Sequence, residues 1–595
     1  MKASNLDSWL LDTDNETSHC RWAGVQCDND GSVIEINLSN FSLNGTLDEL
    51  NFLSLPYLTH LNLSLNNLQG KIPKSIGNLL KLNVLDLGIN MFTGSVSVEI
   101  GNLTELHSIS LRSNNLSGPI PYLLGQLKKV SPLDFGKNYL TLPNSTKFQE
   151  IDGLHFLNLS HNYLCGRILE EIYKIKNLEW LDLSNNMLSG EIPPNMPSMT
   201  FLNLFLYDNS LMKFPSFMFG CKKLVYFDLS WNSITGPIPV EIKKLIKLQE
   251  LILSGNNFTG SVPHDVGLIS GLKALHLSGN DILGGPIPSS LGQLRALEHL
   301  DLSTCGLNSG IPSQLGFCTN LKHLYLSGNN IKGSLPPSLA ALSRIFEFYI
   351  DGNIIIGAIP GWIFTNWTNL RSLSLRENSF IEPIPPESGL LKNLRWLEIS
   401  SNTFSGHIPL LIGNLTNLEI LNLFSNKLNG SLPSSIGNLC KLRYLFLSGN
   451  HLTGSLPSEL WNLEAIKVLD VCSNIFKATR SIPNSIGDLV NLSVLDLAEN
   501  KLMGLIPTTL GNLTDLQYLD LSNNTLSGKI PPSLKNCSKL KLLNIGDNRL
   551  SGKIPSWIGK SITSLHVLRL RDIFTNWTNL KRMSLIGNSF IGPIP

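Results

Sequence analysis

The sequence predicts a solenoid, in which short coils of one repeated pattern stack and pair their strands in parallel. Twenty-four copies of the pattern fill residues 33–595, and the copy at residues 58–81 reads LTHLNLSLNNLQGKIPKSIGNLLK. Leucine occupies positions 1, 4 and 6 of a copy, asparagine position 9, glycine position 13 and Ile-Pro positions 15 and 16. A period near 24 residues with this apolar pattern predicts a leucine-rich-repeat solenoid.

Each position of the copy has a predicted structural role. Positions 3 to 7 alternate, so the leucines at 4 and 6 point into the core while positions 3, 5 and 7 face outward from a short strand. The asparagine at position 9, present in 21 of the 24 copies, turns the chain and bonds the backbone of neighbouring coils. Proline at position 16 disfavours a long helix. We therefore expect a right-handed superhelical horseshoe with a parallel β-sheet on its concave face and extended or 3₁₀ segments on its convex face.

Three regions are predicted along the chain. Residues 1–32 form an N-terminal cap without a signal peptide, in which we interpret Cys20 and Cys27 as one disulfide that closes a short loop over the first coil. Residues 33–572 form the solenoid, and residues 573–595 form an irregular, truncated terminal repeat without a C-terminal cap. Residues 573–580 repeat residues 363–370 letter for letter, and the coil before them lacks about ten residues. We expect this shortened coil not to stack on both of its neighbours.

Composition and motifs exclude several classes of function. The formal net charge is +1 and only 15% of residues are charged, which does not favour nucleic acid or an anionic membrane as a partner. No apolar run approaches the roughly 20 residues that span a bilayer. The chain lacks the HExxH, GxSxG, P-loop and kinase motifs, so we expect no catalysis. We expect no cofactor and no metal, because the seven cysteines outside the cap show no metal-ligand spacing and are interpreted as buried free thiols.

The Ile-Pro segments carry a resemblance to a known family. Residues 116–121, LSGPIP, and residues 452–457, LTGSLP, resemble the plant-type leucine-rich repeat. The cap, with Trp9 and the Cys20 to Cys27 spacing, resembles that of plant receptor-like kinases and receptor-like proteins. This resemblance covers nearly the whole chain.

The resemblance implies a cell-surface ectodomain that binds a peptide, steroid or microbial pattern and recruits a co-receptor kinase of the same repeat family. Such a protein lies on the extracellular face of the plasma membrane or in the apoplast. The signal peptide, the membrane helix and the kinase of those receptors are missing from this sequence, so a membrane is expected only through a missing C-terminal segment. The alternative is a secreted binding protein without a signalling domain, similar to the polygalacturonase inhibitors of plant cell walls.

Candidate ligand-binding residues are departures from the repeat at outward positions, chiefly positions 5 and 7, which usually hold Asp, Asn or Ser, with Trp231 at position 8. Exposed aromatic side chains on a rigid sheet provide contact area at a low entropic cost, and neighbouring arginines can pair with carboxylates. The alternative is that isolated exposed aromatics are common and need no function. The predicted surface extends from residue 201 to residue 446 and consists of Phe205, Tyr207, Trp231, Tyr325, Tyr349, Arg371, Arg376, Arg395, Glu398, Phe424, Arg443 and Phe446.

Eighteen Asn-x-Ser/Thr sequons indicate an extracellular origin, although the repeat itself generates such triplets easily. Asn37, Asn62 and Asn158 lie at position 5, where glycans would cover the outward face of the early coils and leave the middle coils open. The predicted acceptors are Asn15, Asn62, Asn102, Asn115, Asn158, Asn257, Asn366, Asn414, Asn429 and Asn512.

One further pair of residues has a possible ligand role. Arg569 and Arg571 resemble the paired arginines with which some plant peptide receptors hold a peptide's terminal carboxylate. Their repeat positions, 5 and 7, differ from that feature, and the same strand also occurs as plain consensus in receptor-like proteins. Carboxylate binding and a structural consensus therefore both remain open for this pair.

Overall fold

The computed structural model describes residues 18–142, 153–168, 172, 175–190, 200–477, 481–553, 555–558, 562, 564–569, 582–584 and 589–590. The chain divides into two compact units between Gly284 and Gly285. Each unit has a main sheet of short parallel strands, followed in each coil by a turn and a return segment. The predicted leucine-rich-repeat solenoid is confirmed within each unit.

The first unit begins with the cap. A 3₁₀ helix at Ser18–Arg21 precedes the strand Val25–Cys27, which pairs antiparallel with Val33–Asn37. The structure contains the disulfide between Cys20 and Cys27 that the sequence predicts. In its described part, the main sheet of this unit has eleven parallel strands: Val33–Asn37, His60–Asn62, Val84–Asp86, Ser108–Ser110, Leu133–Asp134, Phe156–Asn158, Trp180–Asp182, Asn203–Phe205, Tyr226–Asp228, Glu250–Ile252 and Ala274–His276.

The second unit repeats the arrangement. Its main sheet has thirteen parallel strands among the described residues: His299–Asp301, His323–Tyr325, Glu347–Tyr349, Ser372–Ser374, Trp396–Glu398, Ile420–Asn422, Tyr444–Phe446, Val468–Asp470, Val494–Asp496, Tyr518–Asp520, Leu542–Asn544, Val567–Arg569 and Arg582–Ser584. The last two strands pair in parallel although the coil between them is short. The expectation that this coil would fail to stack on both neighbours is therefore wrong for this pair of strands.

The return side contains 3₁₀ helices, as the prolines predict. Pro73, for example, is extended at φ −70° and ψ 145° and immediately precedes the helix Lys74–Asn78. One coil departs from this form and has a short α-helix at Trp362–Asn366. The other 3₁₀ helices of described coils are Phe52–Ser54, Val98–Asn102, Tyr122–Gln126, Ser216–Gly220, Val240–Lys244, His264–Leu268, Ser289–Gln293, Ser313–Phe317, Pro337–Ala341, Pro386–Leu390, Leu410–Asn414, Ser434–Asn438, Ser458–Asn462, Asn484–Asp488, Thr508–Asn512 and Pro532–Asn536.

Short parallel strands directly after the turn asparagine form a second set of small sheets, which the sequence analysis did not predict. In the first unit they are Asn44–Gly45, Asn67–Lys71, Met91–Gly94, Asn115–Pro119, Tyr139–Thr141, Cys165–Gly166, Met187–Gly190, Ser210–Leu211, Thr235–Pro237 and Asn257–Thr259. In the second unit they are Lys332–Gly333, Ile354–Gly357, Ser379–Phe380, Asn429–Ser431, His451–Thr453, Met503–Leu505, Thr525–Gly528, Arg549–Gly552 and Ser589–Phe590. Glycine at position 13 lies in these strands at positive φ, as at Gly70 with φ +83°.

The core of each coil is made of the repeat leucines. Leu82, Leu85 and Leu87, at positions 1, 4 and 6 of one coil, are each 0% exposed, as the alternating pattern predicts. The free thiols follow this pattern only in part. Cys221, Cys305, Cys318 and Cys537 are buried, whereas Cys165 and Cys440 are exposed and Cys472 is half-buried. The prediction of buried thiols is wrong for these last three, because their side chains lie outside the leucine rows.

The turn asparagine connects each coil to its neighbours. The amide nitrogen of Asn353 donates to the Leu326 carbonyl of the preceding coil at 3.0 Å and to the Ile350 carbonyl of its own coil at 3.0 Å. Its Oδ1 accepts from the backbone nitrogen of Ile331 at 2.9 Å. The same three contacts recur at Asn66, Asn90, Asn114, Asn138, Asn162, Asn186, Asn209, Asn232, Asn256, Asn280, Asn329, Asn378, Asn402, Asn426, Asn450, Asn474, Asn500, Asn524 and Asn548.

Three aspartates lie side by side on the outward face of the second unit. Asp470 pairs in register with Asp496, and Asp496 pairs with Asp520. Burial above all, together with the charges of the flanking carboxylates and against a lowering hydrogen bond from the Ala498 backbone nitrogen, raises the pKa of Asp496 to about 7. Because the folded state holds this proton more tightly than the unfolded state, the group stabilises the fold most below its ordinary pKa. That stabilisation is lost as the pH rises towards about 7.

Replacing Asn353 with alanine is expected to destabilise its coil and both neighbours by about 3 kcal/mol, because buried backbone groups lose their partners. Hydrogen exchange over residues 320–360 measures this local free energy. Asn330→Ala, at an exposed asparagine of the preceding coil, is the matched control and should leave exchange unchanged. Equal protection in both variants would show that the hydrogen bonds of the turn asparagines, here called the asparagine ladder, are not what connects the coils.

Asp496→Asn is expected to raise the thermal unfolding midpoint relative to the unmodified chain more at pH 8 than at pH 5. At high pH the Asp496 carboxyl must ionise beside the carboxylates of Asp470 and Asp520, which is unfavourable. The amide of asparagine has no proton to lose and avoids this repulsion. Unfolding monitored between pH 5 and pH 8 measures the difference. Asp547→Asn, at an exposed position of the same unit, serves as the control. A pH-independent effect of Asp496→Asn would contradict the coupling.

Candidate ligand-binding faces of the two units

The outward side chains of the main strands, at repeat positions 3, 5 and 7, form a continuous surface within each unit, here called the open face. They stand on strands whose backbones are fully paired, so their positions are fixed by the sheet. The surface predicted from residue 201 to residue 446 lies on both sides of the division between Gly284 and Gly285. The open faces of the two units are therefore described separately.

The open face of the first unit carries a row of four aromatic rings, each in contact with the next. Phe156 stacks on Trp180 with ring centroids 5.5 Å apart, Trp180 contacts Phe205 at 4.8 Å, and Phe205 contacts Tyr226 at 4.7 Å. All four side chains are half-buried because each ring covers its neighbour. Of the four, only Phe205 is among the residues predicted from the sequence. The other three occupy position 3 of nearby coils, and this recurrence of aromatic residues at position 3 is the signal that would have found them.

The other two predicted residues of this unit lie apart from the row. Tyr207 is half-buried at position 7. Trp231 is 68% exposed and has a positive φ of 53°, and its indole lies so close to Gly255 that a side chain there would clash. Position 8 is left-handed in many coils, which directs Trp231 to the edge of the sheet rather than onto the open face.

The predicted glycans at position 5 do not all fit the structure. Asn158 is only 8% exposed, and its Oδ1 accepts from the backbone nitrogen of Ser160 at 2.9 Å and from the Ser160 hydroxyl at 2.7 Å. This burial contradicts its assignment as an acceptor, because a glycosylated amide must project into solvent. Asn62 is half-buried, and Asn15 lies outside the described residues. The remaining predicted acceptors are exposed: Asn102, Asn115, Asn257, Asn366, Asn414, Asn429 and Asn512.

The open face of the second unit begins with a hydrogen-bonded cluster. His299 stacks on His323 at 4.5 Å, and Tyr325 stacks on Tyr349 at 5.0 Å. The Tyr325 hydroxyl donates to the Glu347 carboxylate, which also lies 3.1 Å from Nδ1 of His323. Burial raises the pKa of the Tyr325 hydroxyl, and its bond to Glu347 raises the pKa further. Both predicted tyrosines are therefore held as neutral hydrogen-bonding groups.

Next to this cluster lies a depression of about 430 Å³, here called the Ser374 depression. Its floor includes Ser374, which is only 8% exposed although it points outward, and its walls include Asp351, Arg376, Trp396 and Glu398. The depression forms because Ser374 is small and lies in register between Tyr349 and Glu398. Two predicted residues, Arg376 and Glu398, thus come together, while Asp351 and Trp396 were not predicted.

The remaining predicted residues surround this region without forming one cluster. The guanidinium of Arg371 lies 5.0 Å from the ring centre of Phe346, and Arg395 lies 4.0 Å from Glu419. Phe424 is 44% exposed, Arg443 is exposed and Phe446 is half-buried. Arg569 belongs to a described strand but its side chain is not described, and Arg571 lies outside the described residues. The carboxylate-binding role of this pair stays a prediction.

One group of side chains has the composition of a metal site. Asp470, Cys472 and Asp496 bring three potential ligand atoms within 4.8 Å of one another. Burial, together with the charges of Asp470 and Asp496, raises the pKa of the Cys472 thiol to about 12, so the thiol of the metal-free chain is protonated. The second such group, His19 with Cys20 and Cys27, contains both disulfide cysteines, which leaves it no free thiol.

Comparison with protein families agrees with this architecture. A leucine-rich repeat region model matches residues 426–585. The leucine-rich repeat model matches ten segments: 57–79, 105–127, 153–175, 177–199, 223–245, 247–268, 271–294, 296–318, 320–342 and 393–415. In the described part of the chain, the structure contains no helix that is long and apolar enough to cross a membrane.

Solved structures resemble the chain over nearly its full length. The plant peptide hormone receptor RGFR1 in complex with RGF2 is 35% identical, with a TM-score of 0.83 and coverage of 96% of this chain and 92% of that one. PEPR1 in complex with AtPEP1 is 32% identical, with a TM-score of 0.87 and coverage of 99% and 80%. The HAESA ectodomain of Arabidopsis, in complex with an IDA peptide hormone, is 30% identical, with a TM-score of 0.78 and coverage of 98% and 95%.

Curated relatives match over shorter segments. A probable leucine-rich repeat receptor-like protein kinase of Arabidopsis thaliana is 41% identical over 78 residues, which is 13% of this chain and 7% of that protein. The receptor-like kinase RGI4 of the same plant is 40% identical over 81 residues, or 14% of this chain and 7% of that protein. The matched segments thus span less than a tenth of these relatives. The repeat matches and the full-length structural likeness together show that the chain belongs to the leucine-rich repeat family, as a plant receptor ectodomain.

Proposed function

We propose that the chain is the ligand-binding ectodomain, or a part of it, of a plant cell-surface receptor, and that its ligand is a peptide held on an open face. The observation that carries the proposal is the concentration of aromatic side chains at the outward positions 3, 5 and 7 of the main strands. Rings in contact, such as those of Phe156, Trp180, Phe205 and Tyr226, hold one another in place, so they lose little side-chain entropy when a ligand binds.

A peptide suits such a face better than a compact apolar ligand. The open faces are elongated and shallow, and hydroxyl, amide and carboxylate groups alternate with the aromatic rings. An extended peptide can place successive side chains on these groups while its backbone bonds to the polar ones. Relatives support the same class of ligand, because RGFR1 is a plant peptide hormone receptor solved with RGF2 and HAESA was solved with the peptide hormone IDA.

Three further features of the protein are part of this proposal. Because HAESA has been solved together with the co-receptor SERK1, we expect a co-receptor kinase of the same repeat family to join the complex. The exposed sequons and the disulfide suit an extracellular location at the plasma membrane or in the apoplast. Glycans at exposed acceptors such as Asn257 and Asn429 would cover the return side, away from the open faces.

The test begins with selection of 12-residue peptides from a random display library against the secreted, glycosylated chain. The dissociation constant of each selected peptide is then measured for Trp180→Ala and Phe205→Ala in the first unit, and for Tyr325→Ala and Tyr349→Ala in the second. We expect the substitutions in the unit that binds the peptide to weaken binding about 5-fold to 100-fold each, because they remove anchoring rings.

Exposed aromatics of the return side provide matched controls for this experiment. Tyr139 is 44% exposed in the return-side strand Tyr139–Thr141, Tyr163 is 50% exposed, and their ring centroids lie 5.4 Å apart. Tyr139→Ala and Tyr163→Ala should leave the dissociation constant unchanged. The proposal fails if these two variants abolish binding while all four open-face variants bind normally.

A further inference from the structure

The Ser374 depression differs from the rest of the open face of the second unit in its charge. Its walls contain three carboxylates, those of Asp351, Glu377 and Glu398, and one cation, Arg376. The guanidinium of Arg376 is already bonded to Glu377, with its Nε 2.9 Å from Oε1. Among the described residues, neither Asp351 nor Glu398 forms an ion pair, and the nearby charge of Arg376 lowers the pKa of Asp351 less than burial raises it.

Neutral donors hold both carboxylates in place. Asp351 Oδ1 accepts from the hydroxyl of Ser374 and, at 2.9 Å, from the backbone nitrogen of Arg376. Glu398 accepts from the amide of Asn422 and, at 3.2 Å, from the hydroxyl of Ser400. Burial raises the pKa of Asp351 because its charge is only partly solvated. A cation in the depression would recover the interaction energy that burial has removed.

An aromatic wall adds a second feature suited to a cation. Trp396 lines the depression and is 44% exposed. Its Nε1 donates to Oε2 of Glu398 at 3.0 Å, which fixes the indole beside the carboxylate. A carboxylate and an indole side by side attract a guanidinium or an ammonium group by ion pairing and by cation–π interaction. Neither group on its own distinguishes a peptide cation from a small ion, but together they favour a planar or alkylated cation.

We propose that the Ser374 depression binds a cationic side chain, an arginine or a lysine, of a peptide ligand. The statement that the cation belongs to a peptide rests on the proposed function. The statement that the depression binds a cation rests on the side chains of the depression itself. Asp351 and Glu398 provide the negative charge, Trp396 provides the aromatic contact, and the small side chain of Ser374 provides the space. The second unit thus selects peptides by charge as well as by aromatic contacts.

Two small probes test the charge preference without knowledge of the natural ligand. N-acetyl-arginine amide and N-acetyl-citrulline amide have almost the same shape, but only the first is charged. Saturation-transfer NMR titrations on the full chain should give a dissociation constant on the order of 1 mM for the arginine probe and a value about tenfold higher for the citrulline probe.

Isosteric variants assign the effect to the depression. Asp351→Asn and Glu398→Gln should each weaken binding of the arginine probe about fivefold or more and leave the citrulline probe unaffected. Glu459→Gln, at an exposed carboxylate on a return-side 3₁₀ helix of the same unit, is the control and should change neither probe. If Asp351→Asn disturbs folding, shown by a lower unfolding midpoint, the half-buried Glu398 provides the test alone.

The possible outcomes separate this inference from the proposed function. Equal binding of the two probes, or arginine binding that survives the folded Asp351→Asn and Glu398→Gln variants, overturns the cation site. A selected peptide that requires Tyr325 and Tyr349 but not Asp351 or Glu398 leaves the proposed function intact and rejects the cation site. If the arginine probe binds as expected but no peptide binds to either open face, the peptide-binding function is rejected instead.

Discussion

The asparagine ladder is the interaction on which the rest of the structure depends. The turn that follows each main strand removes backbone N–H and C=O groups from water, and a buried group without a hydrogen-bond partner costs about 1 to 3 kcal/mol. The side-chain amide of Asn353 satisfies one N–H and one C=O group of the preceding coil and one C=O group of its own coil. At the one described ladder position that holds cysteine, Asn329 of the next coil accepts from both Cys305 and Leu307 backbone nitrogens at 3.0 Å.

This division of roles explains how one repeat serves both stability and recognition. Leucines fill the core and turn asparagines complete the backbone hydrogen bonds, so the outward positions 3, 5 and 7 do not contribute to the core. Many position-5 Asp and Asn side chains accept from the position-7 backbone nitrogen of their own coil, as Asp86 does from Gly88, but positions that hold other residues keep the same coil. In the first unit these positions hold a row of aromatic rings in contact. In the second unit they hold a hydrogen-bonded cluster of tyrosines and histidines, and beside it the Ser374 depression with the carboxylates of Asp351 and Glu398.

The repeat pattern predicted most of the fold, because its features act locally. The alternation of leucines set the main strands, the prolines set the 3₁₀ segments, and the asparagines set the ladder. The second set of sheets was missed because residues such as Tyr139 and Met187 pair only after the coils have stacked. The site was predicted less well. Asn158 is buried by its neighbours, and Ser374 marks a depression only because larger side chains stand beside it, and neither effect can be read from one coil.

The central claim is that the ligand contacts an open face of a main sheet, and photo-crosslinking tests it most directly. A peptide selected against the chain is synthesised with a benzophenone side chain at each position in turn, irradiated in the complex and mapped by mass spectrometry. The account predicts crosslinks to open-face residues of one unit, such as Trp180 and Phe205 or Tyr325 and Trp396. Crosslinks confined to return-side residues such as Tyr163 would contradict it.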